Sequence, residues 1–236
     1  VSKKVAIMQP YFFPYVGYFQ LINSVDEFII YDNIQYTKKG WINRNRILVN
    51  GSDKLITLPI KKESDYLDVV QRELADSWSN DRQKILNIIK TSYYRAPFFK
   101  PVYELIEQCL ITTEHNLFNF IYNSLERVNE YIGITTIPMI KSSTINIDHT
   151  LKSEQKVIAL CKERGATIYI NAIGGVHLYD KDRFKQHGLE LNFIKSNPIT
   201  YNQFNNEFIP WLSIIDVLMF NSPETIKKYL TSYTLK

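Results

Sequence analysis

An apolar run that drives into a pair of prolines and then a glycine constrains this chain most. Val5-Ala-Ile-Met-Gln-Pro-Tyr-Phe-Phe-Pro-Tyr-Val-Gly-Tyr-Phe19 starts as an apolar strand and passes Pro10 and Pro14 before reaching Gly17. Proline has no N–H for a ladder, so the strand must stop before Pro10. After Pro14, Val16, Phe19, Leu21 and Ile22 share one helical face, which predicts a helix over 15–24. Apolar residues return over 27–32 as a second strand. A β-α-β opening with so short a crossover belongs to an α/β fold, where ligands collect at the carboxyl ends of strands.

The same alternation continues along the chain. A hairpin is predicted from 46–50 and 54–60 about Gly51-Ser52, with a further short strand over 67–74. Helical spacing then fills 78–94, 97–109 and 116–132, the last stopped by Gly133. Strands are predicted at 137–141, 145–147, 167–171 and 189–194. Ser153 is expected to open a helix that Gly165 stops, and a short helix spans 180–187. Helices over 207–221 and 223–231 close the chain, with Pro210 and Pro223 in their first turns. The expected architecture is α/β: a mainly parallel, doubly wound sheet with an α-helical insert or subdomain. The corresponding division is 1–75 and 137–236 for the α/β part and 76–136 for the insert.

Composition narrows the function classes. With 45% hydrophobic and 22% charged residues over 236, the chain can bury a full core and is not disordered. No apolar run reaches the roughly 20 residues that span a bilayer, and the first ten residues read as a strand rather than a signal peptide. Cys109 and Cys161 stand alone without a CxxC spacing, which suits a reducing cytoplasm and provides neither a zinc site nor a disulfide framework. The formal charge of +4 is spread over scattered lysine pairs, which argues against nucleic acid and for a small anionic substrate. Sixteen tyrosines against thirteen phenylalanines make a surplus of rings with a polar tip, suited to sugars and nucleobases.

Polar residues crowd the predicted strand ends. Gln9 precedes Pro10 at the first. Asp32 ends the second, where catalytic carboxylates sit, although Asp32-Asn33 is equally good turn chemistry. In Asn43-Arg44-Asn45-Arg46 an extended backbone puts both arginines on one face, a forked receptor for a diphosphate or carboxylate. The plainer reading is a pair of surface salt-bridge partners. Asp216, in the apolar run WLSIIDVLMF, needs a partner, and Arg44 or Arg46 is expected to supply it. Among the histidines His177, just after Gly174-Gly175, is the candidate general base.

The opening resembles the nucleotidyltransferase-like superfamily and its His-x-Gly-His loop, with Tyr15, Gly17 and Tyr18 at the matching positions. Tyrosine replaces both histidines, so hydrogen bonding to phosphate survives there without the imidazolium charge. Ser142, Ser143 and Thr144, in Lys141-Ser-Ser-Thr-Ile145, similarly resemble that superfamily's second phosphate site. Gln9 to Phe19, Tyr31-Asp-Asn-Ile-Gln-Tyr36, Trp41 to Arg46 and Ser213-Ile-Ile-Asp216 together resemble the WbqC-like protein family, over essentially the whole chain. That resemblance implies a bacterial cytoplasmic protein of O-antigen or other surface-polysaccharide synthesis.

The resulting expectation is a transferase that forms an amide on a nucleotide-linked amino sugar, using an amino-acid or acyl donor. Arg44 and Arg46 would hold the diphosphate and Tyr11 and Tyr18 would stack on base or sugar. Gln9, Tyr15, Gly17, Gln35, Asn43, the 142–144 hydroxyls and Asp216 complete the candidate binding set. Asp32 or His177 would accept the proton. The donor is left open between ATP with magnesium and an acyl thioester, and so is a homodimer. Nucleotidyl transfer to a sugar phosphate, or sugar-nucleotide binding without turnover, are the alternatives. The two strand tips and the guanidinium pair are expected to converge on one anion-lined cleft.

Overall fold

The computed structural model describes residues 2–236. Its centre is a six-stranded sheet of β1 (Lys4–Met8), β2 (Glu27–Ile30), β5 (Met139–Lys141), β6 (Ile168–Ala172), β7 (Glu190–Ser196) and β8 (Tyr233–Leu235), in the order β5-β2-β1-β6-β7-β8. All neighbours are parallel except β7 and β8. The strands β3 (Arg44–Val49) and β4 (Ser52–Thr57) form a separate antiparallel hairpin. The mainly parallel α/β architecture is therefore as expected.

Strand alternation divides the core in two. Ala6, Phe28, Ile30, Ile170 and Ile194 point to one face, which is covered by α1 (Val16–Asn23), α2 (Trp78–Tyr93), α3 (Phe99–Leu110), α4 (Leu117–Ile132), α7 (Ile214–Phe220) and α8 (Pro223–Leu230). Val5, Ile7, Ile29, Tyr169, Leu191 and Phe193 point to the other, against α5 (Ser153–Glu163) and α6 (Lys181–Gln186). A sheet buried on both faces favours unbroken apolar strands, which is why β1 and β2 read so clearly in the sequence. The apolar sides of α2, α3 and α4 share one continuous core with the sheet.

β1 pairs with β2 on one side and β6 on the other, so the strand order reverses at β1. The crevice between β1 and β6 is thus the switch point of the sheet. At the opposite, amino end, buried Glu27 takes two hydrogen bonds from Arg164, at 2.6 and 2.9 Å, and one from Lys3 at 3.0 Å. Burial alone would raise its carboxyl, but these cations outweigh burial and lower it.

Several local expectations are corrected. The hairpin turns at Asn50-Gly51, both at positive φ, rather than at Gly51-Ser52. Residues 67–74 hold a 3-10 turn at Val69–Gln71 and isolated bridges instead of a strand. Residues 145–147 are not a strand. α5 does open at Ser153, as expected, although that residue has a φ of 48° and no side chain caps the helix. The helix expected from 207 begins only at Ile214, because the Ser213 side chain caps it through the Ile215 N–H, so Pro210 lies in a loop. β8 has no counterpart in the sequence reading; its three residues carry too short a pattern to register.

Candidate functional site

Between β1 and α1, residues 9–15 form an arch whose inner side is nailed down. Phe12 and Phe13 are buried, and Asn45 Nδ2 donates to both of their carbonyls, at 3.0 and 2.9 Å. Ser213 Oγ donates to the Phe13 carbonyl at 2.7 Å and the Ile214 N–H to that of Pro14 at 2.9 Å. Held this way, Phe13 keeps a φ of 40°, a conformation that costs roughly 1–2 kcal/mol in a non-glycine residue. Tyr18 Oη donates to the Gln9 carbonyl at 2.8 Å and closes the arch onto α1.

The outer side of the arch borders a cavity of about 340 Å³ at the switch point. Met8, Ala172 and Ile194, from the ends of β1, β6 and β7, make its floor. Tyr11, Tyr15 and Tyr18 form one wall, and Trp41 and Trp211 stand at the rim. Gly17, in the first turn of α1, also lines it, and no side chain caps that helix at its amino end. Uncapped N–H groups and the positive end of a helix favour an anion.

Two cations belong to the lining, Arg46 and Lys195. Arg46 places Nη1 3.1 Å from the Asp53 carboxylate and Nη2 3.3 Å from the Trp211 carbonyl, with its guanidinium 5.9 Å from the Trp41 ring. Its Nε is buried without a hydrogen-bond partner. Trp211 has a φ of 62° and packs on Tyr15, ring centroids 5.1 Å apart. An exposed tryptophan held in a left-handed conformation beside a cavity marks a position maintained at a local cost.

The expected guanidinium fork does not form. Arg44 turns away to donate to the carbonyls of Gly40 and Lys39, at 3.1 and 2.6 Å, and stays outside the cavity. Neither arginine partners Asp216. That carboxylate is fully buried and accepts from Tyr93 Oη, Tyr201 Oη and Gln203 Nε2, at 2.8, 2.7 and 2.7 Å. Burial raises its pKa against those three donors. Asn43 is likewise internal, bonded to Tyr36 Oη at 2.9 Å and to the Leu58 carbonyl at 2.8 Å. Gln35 is exposed and donates to the Asp65 carbonyl. Both asparagines face inward while the arginines face out, as an extended segment requires.

Asp32 and the Ser142 and Ser143 hydroxyls come together, but over the β2–β5 half of the sheet edge and not in the cavity. Asp32 Oδ1 accepts from Ser142 Oγ at 2.8 Å and from the Ser143 N–H at 2.9 Å, and Oδ2 accepts from Ser143 Oγ. Burial pushes its carboxyl up, but the Ser143 and Ser142 hydrogen bonds prevail and hold it below the ordinary range. Thr144 Oγ1 donates to the Lys141 carbonyl. The single anion-lined cleft is thus two adjoining regions of one edge. His177 is exposed on the 3-10 turn Ile173–Leu178, whose first residue lines the cavity.

Four participants escaped the sequence reading as site residues. Trp211 was hidden inside the over-long helix, although Ser213 with Asp216 three residues on is a capping pattern that would have placed the helix start correctly. Lys195 and Ser196 end a strand and carry no motif. Lys156, on the first turn and a half of α5, meets the β2 tip only through the fold.

A model of the WbqC-like protein family matches residues 9–228. The chain belongs to the WbqC-like protein family. The matched span takes in the arch, the cavity walls, the Asp32 cluster and Asp216. This WbqC-like chain is also 29% identical over 232 residues to the uncharacterized protein Rv1507c of Mycobacterium tuberculosis, covering 97% of each chain. No solved structure matches it. Among the described residues no helix is long and apolar enough to cross a membrane, and no group of three or more His, Cys, Asp and Glu side chains is placed to hold a metal ion.

Proposed function

We propose that this WbqC-like protein is a cytoplasmic transferase of bacterial surface-polysaccharide synthesis that forms an amide on the amino group of a nucleotide-linked sugar. The observation that carries this reading is the cavity at the switch point, walled by three tyrosines, rimmed by two tryptophans and lined by Arg46 and Lys195 beside the start of α1. Aromatic faces accept a base or a sugar, and cations with free helix N–H groups accept a diphosphate. Arg46 and Lys195 take the place that the arginine pair was expected to fill.

In the reaction, the sugar amine attacks the carbonyl of an activated acyl or aminoacyl group. The new C–N bond forms as the leaving group departs: AMP from an adenylate made from ATP with release of pyrophosphate, or a thiolate from a thioester. The amine loses one proton. His177 is the group assigned to take it, since both Asp32 oxygens are already engaged. The test offers the purified chain UDP-linked amino sugars with ATP and glycine, or with acyl thioesters, and seeks the mass-shifted sugar nucleotide. UDP binding without product in any arm would leave a sugar-nucleotide-binding protein. Pyrophosphate release with a sugar phosphate and a nucleoside triphosphate would favour nucleotidyl transfer instead.

A further inference from the structure

The β2–β5 half of the sheet edge gathers Asp32, Asn33, Ser142, Ser143 and Lys156, and Lys156 has no counter-ion. Lys156 Nζ lies 3.2 Å from the Asn33 carbonyl and 3.3 Å from Asn33 Oδ1, and 5.5 Å from the centre of the Tyr31 ring. Among the described residues no carboxylate comes within ion-pair distance of it. An ammonium has three N–H donors, and Asn33 engages two. One donor and the full charge are left for a ligand.

The neighbours of Lys156 are locked in ways that keep that charge from being neutralised. The carboxylate of Asp32 is spent on Ser142 and Ser143. Asn33 Nδ2 lies 2.9 Å from His149 Nδ1, and His149 Nε2 lies 3.0 Å from the Ile145 carbonyl, which puts the imidazole proton on Nε2. Both histidine nitrogens are thereby occupied. Burial lowers the Lys156 pKa, and the more distant carboxylates of Asp68 and Asp32 only partly offset this. A half-buried cation without a partner is costly unless something anionic meets it.

The cluster adjoins the cavity. Asp32 follows the tip of β2, β2 pairs in register with β1, and the Tyr31 N–H donates to the carbonyl of Met8, a floor residue of the cavity. Adjacent strands lie about 4.8 Å apart. Lys156 reaches this carboxyl edge from α5, on the face opposite α1, so a co-substrate there would meet a nucleotide-linked sugar across the strand tips. Given a nucleotide in the cavity, as proposed above, we infer that the tips of β2 and β5 form a second subsite that takes the carboxylate of a small acid or amino acid on Lys156. Exposed Ser143, bonded to Asp32 beside Asn33, borders the rest of that molecule.

The experiment uses the full chain and three probes: UDP, acetate and glycine, followed by saturation-transfer NMR and calorimetry. The wild type should bind acetate or glycine in the presence of UDP. Lys156→Met should weaken that binding by about tenfold or more, and Lys156→Arg should keep it within about threefold, with UDP affinity unchanged in both. A merely structural lysine would instead move the melting temperature and leave both affinities alone. Carboxylate binding that is absent from the wild type, or unchanged in Lys156→Met, overturns the subsite while leaving UDP binding in the cavity intact. Lysine-dependent carboxylate binding without any UDP binding would keep the subsite and defeat the cavity reading.

Discussion

Gly17 lies so close to Ser196 that a Cβ on the glycine would stand 2.7 Å from the serine Oγ. The serine cannot move freely aside, because its hydroxyl donates to Gln20 Oε1 at 2.5 Å, and Gln20 in turn donates to the Tyr229 and Ser232 carbonyls. The start of α1 and the end of β7 therefore meet at the cavity through the absence of a side chain. Gly17→Ala should cost about 1–3 kcal/mol by overpacking and weaken UDP binding by about tenfold. Calorimetry checks the affinity. The double variant Gly17→Ala with Ser196→Gly should regain most of it, and failure of that rescue would move the cause elsewhere.

Two of the three tryptophans, Trp41 and Trp211, stand at the cavity rim, while Trp78 is buried against Phe120. Binding of a nucleotide should therefore change the intrinsic fluorescence. Trp41→Phe and Trp211→Phe should each reduce the change, and the pair together should abolish it. A signal that persists in the double variant would place the ligand away from the aromatic rim.

Arg46 and Arg44 leave the same face of β3 but differ in fate. Arg46→Ala should weaken UDP binding by about tenfold and flatten its salt dependence. Arg44→Ala loses only bonds to the 39–40 carbonyls and should stay within about threefold of the wild type. Equal losses for the two variants would mean that both guanidiniums reach the ligand after all.

Asp216 and Asp32 should shape the acid side of the stability profile with opposite signs. Burial raises the Asp216 pKa from 3.8, so its contribution is fully present below that value and is lost as pH rises through the folded value. The Asp32 pKa is lowered, so its contribution is present above 3.8 and is lost as pH falls through the folded value. Melting curves across the acid range should show Asp216→Asn removing a decline of stability with rising pH. Asp32→Asn should remove a gain. Asp216→Ala, which strands two phenols and an amide, should cost about 3 kcal/mol at neutral pH.

Local signals make much of the fold legible in the sequence. Apolar strands ending at proline, helical faces, and Gly133 at a φ of 84° are each encoded within a few residues. Ambiguous local signals mislead: residues 207–213 resemble a helix in hydropathy, yet the cap at Ser213 decides the start. The sequence also singled out Tyr11, Tyr15, Gly17, Tyr18 and Arg46, because they fall in or near the distinctive arch and hairpin motifs.

Which of the marked residues share a space was settled only by tertiary packing. Asn43, Arg44, Asn45 and Arg46 have the alternation that any strand has, but only the hairpin's seat on the arch makes the asparagines internal and separates the two arginines. Asp216 finds Tyr93, 123 residues away, rather than an arginine. Lys156 meets Asn33 across 123 residues as well. Chain order carries strand and helix because their hydrogen bonds and side-chain periods are short-range. It does not carry such pairings, since a contact between distant segments depends on how whole elements stack and on which polar groups burial leaves unpaired.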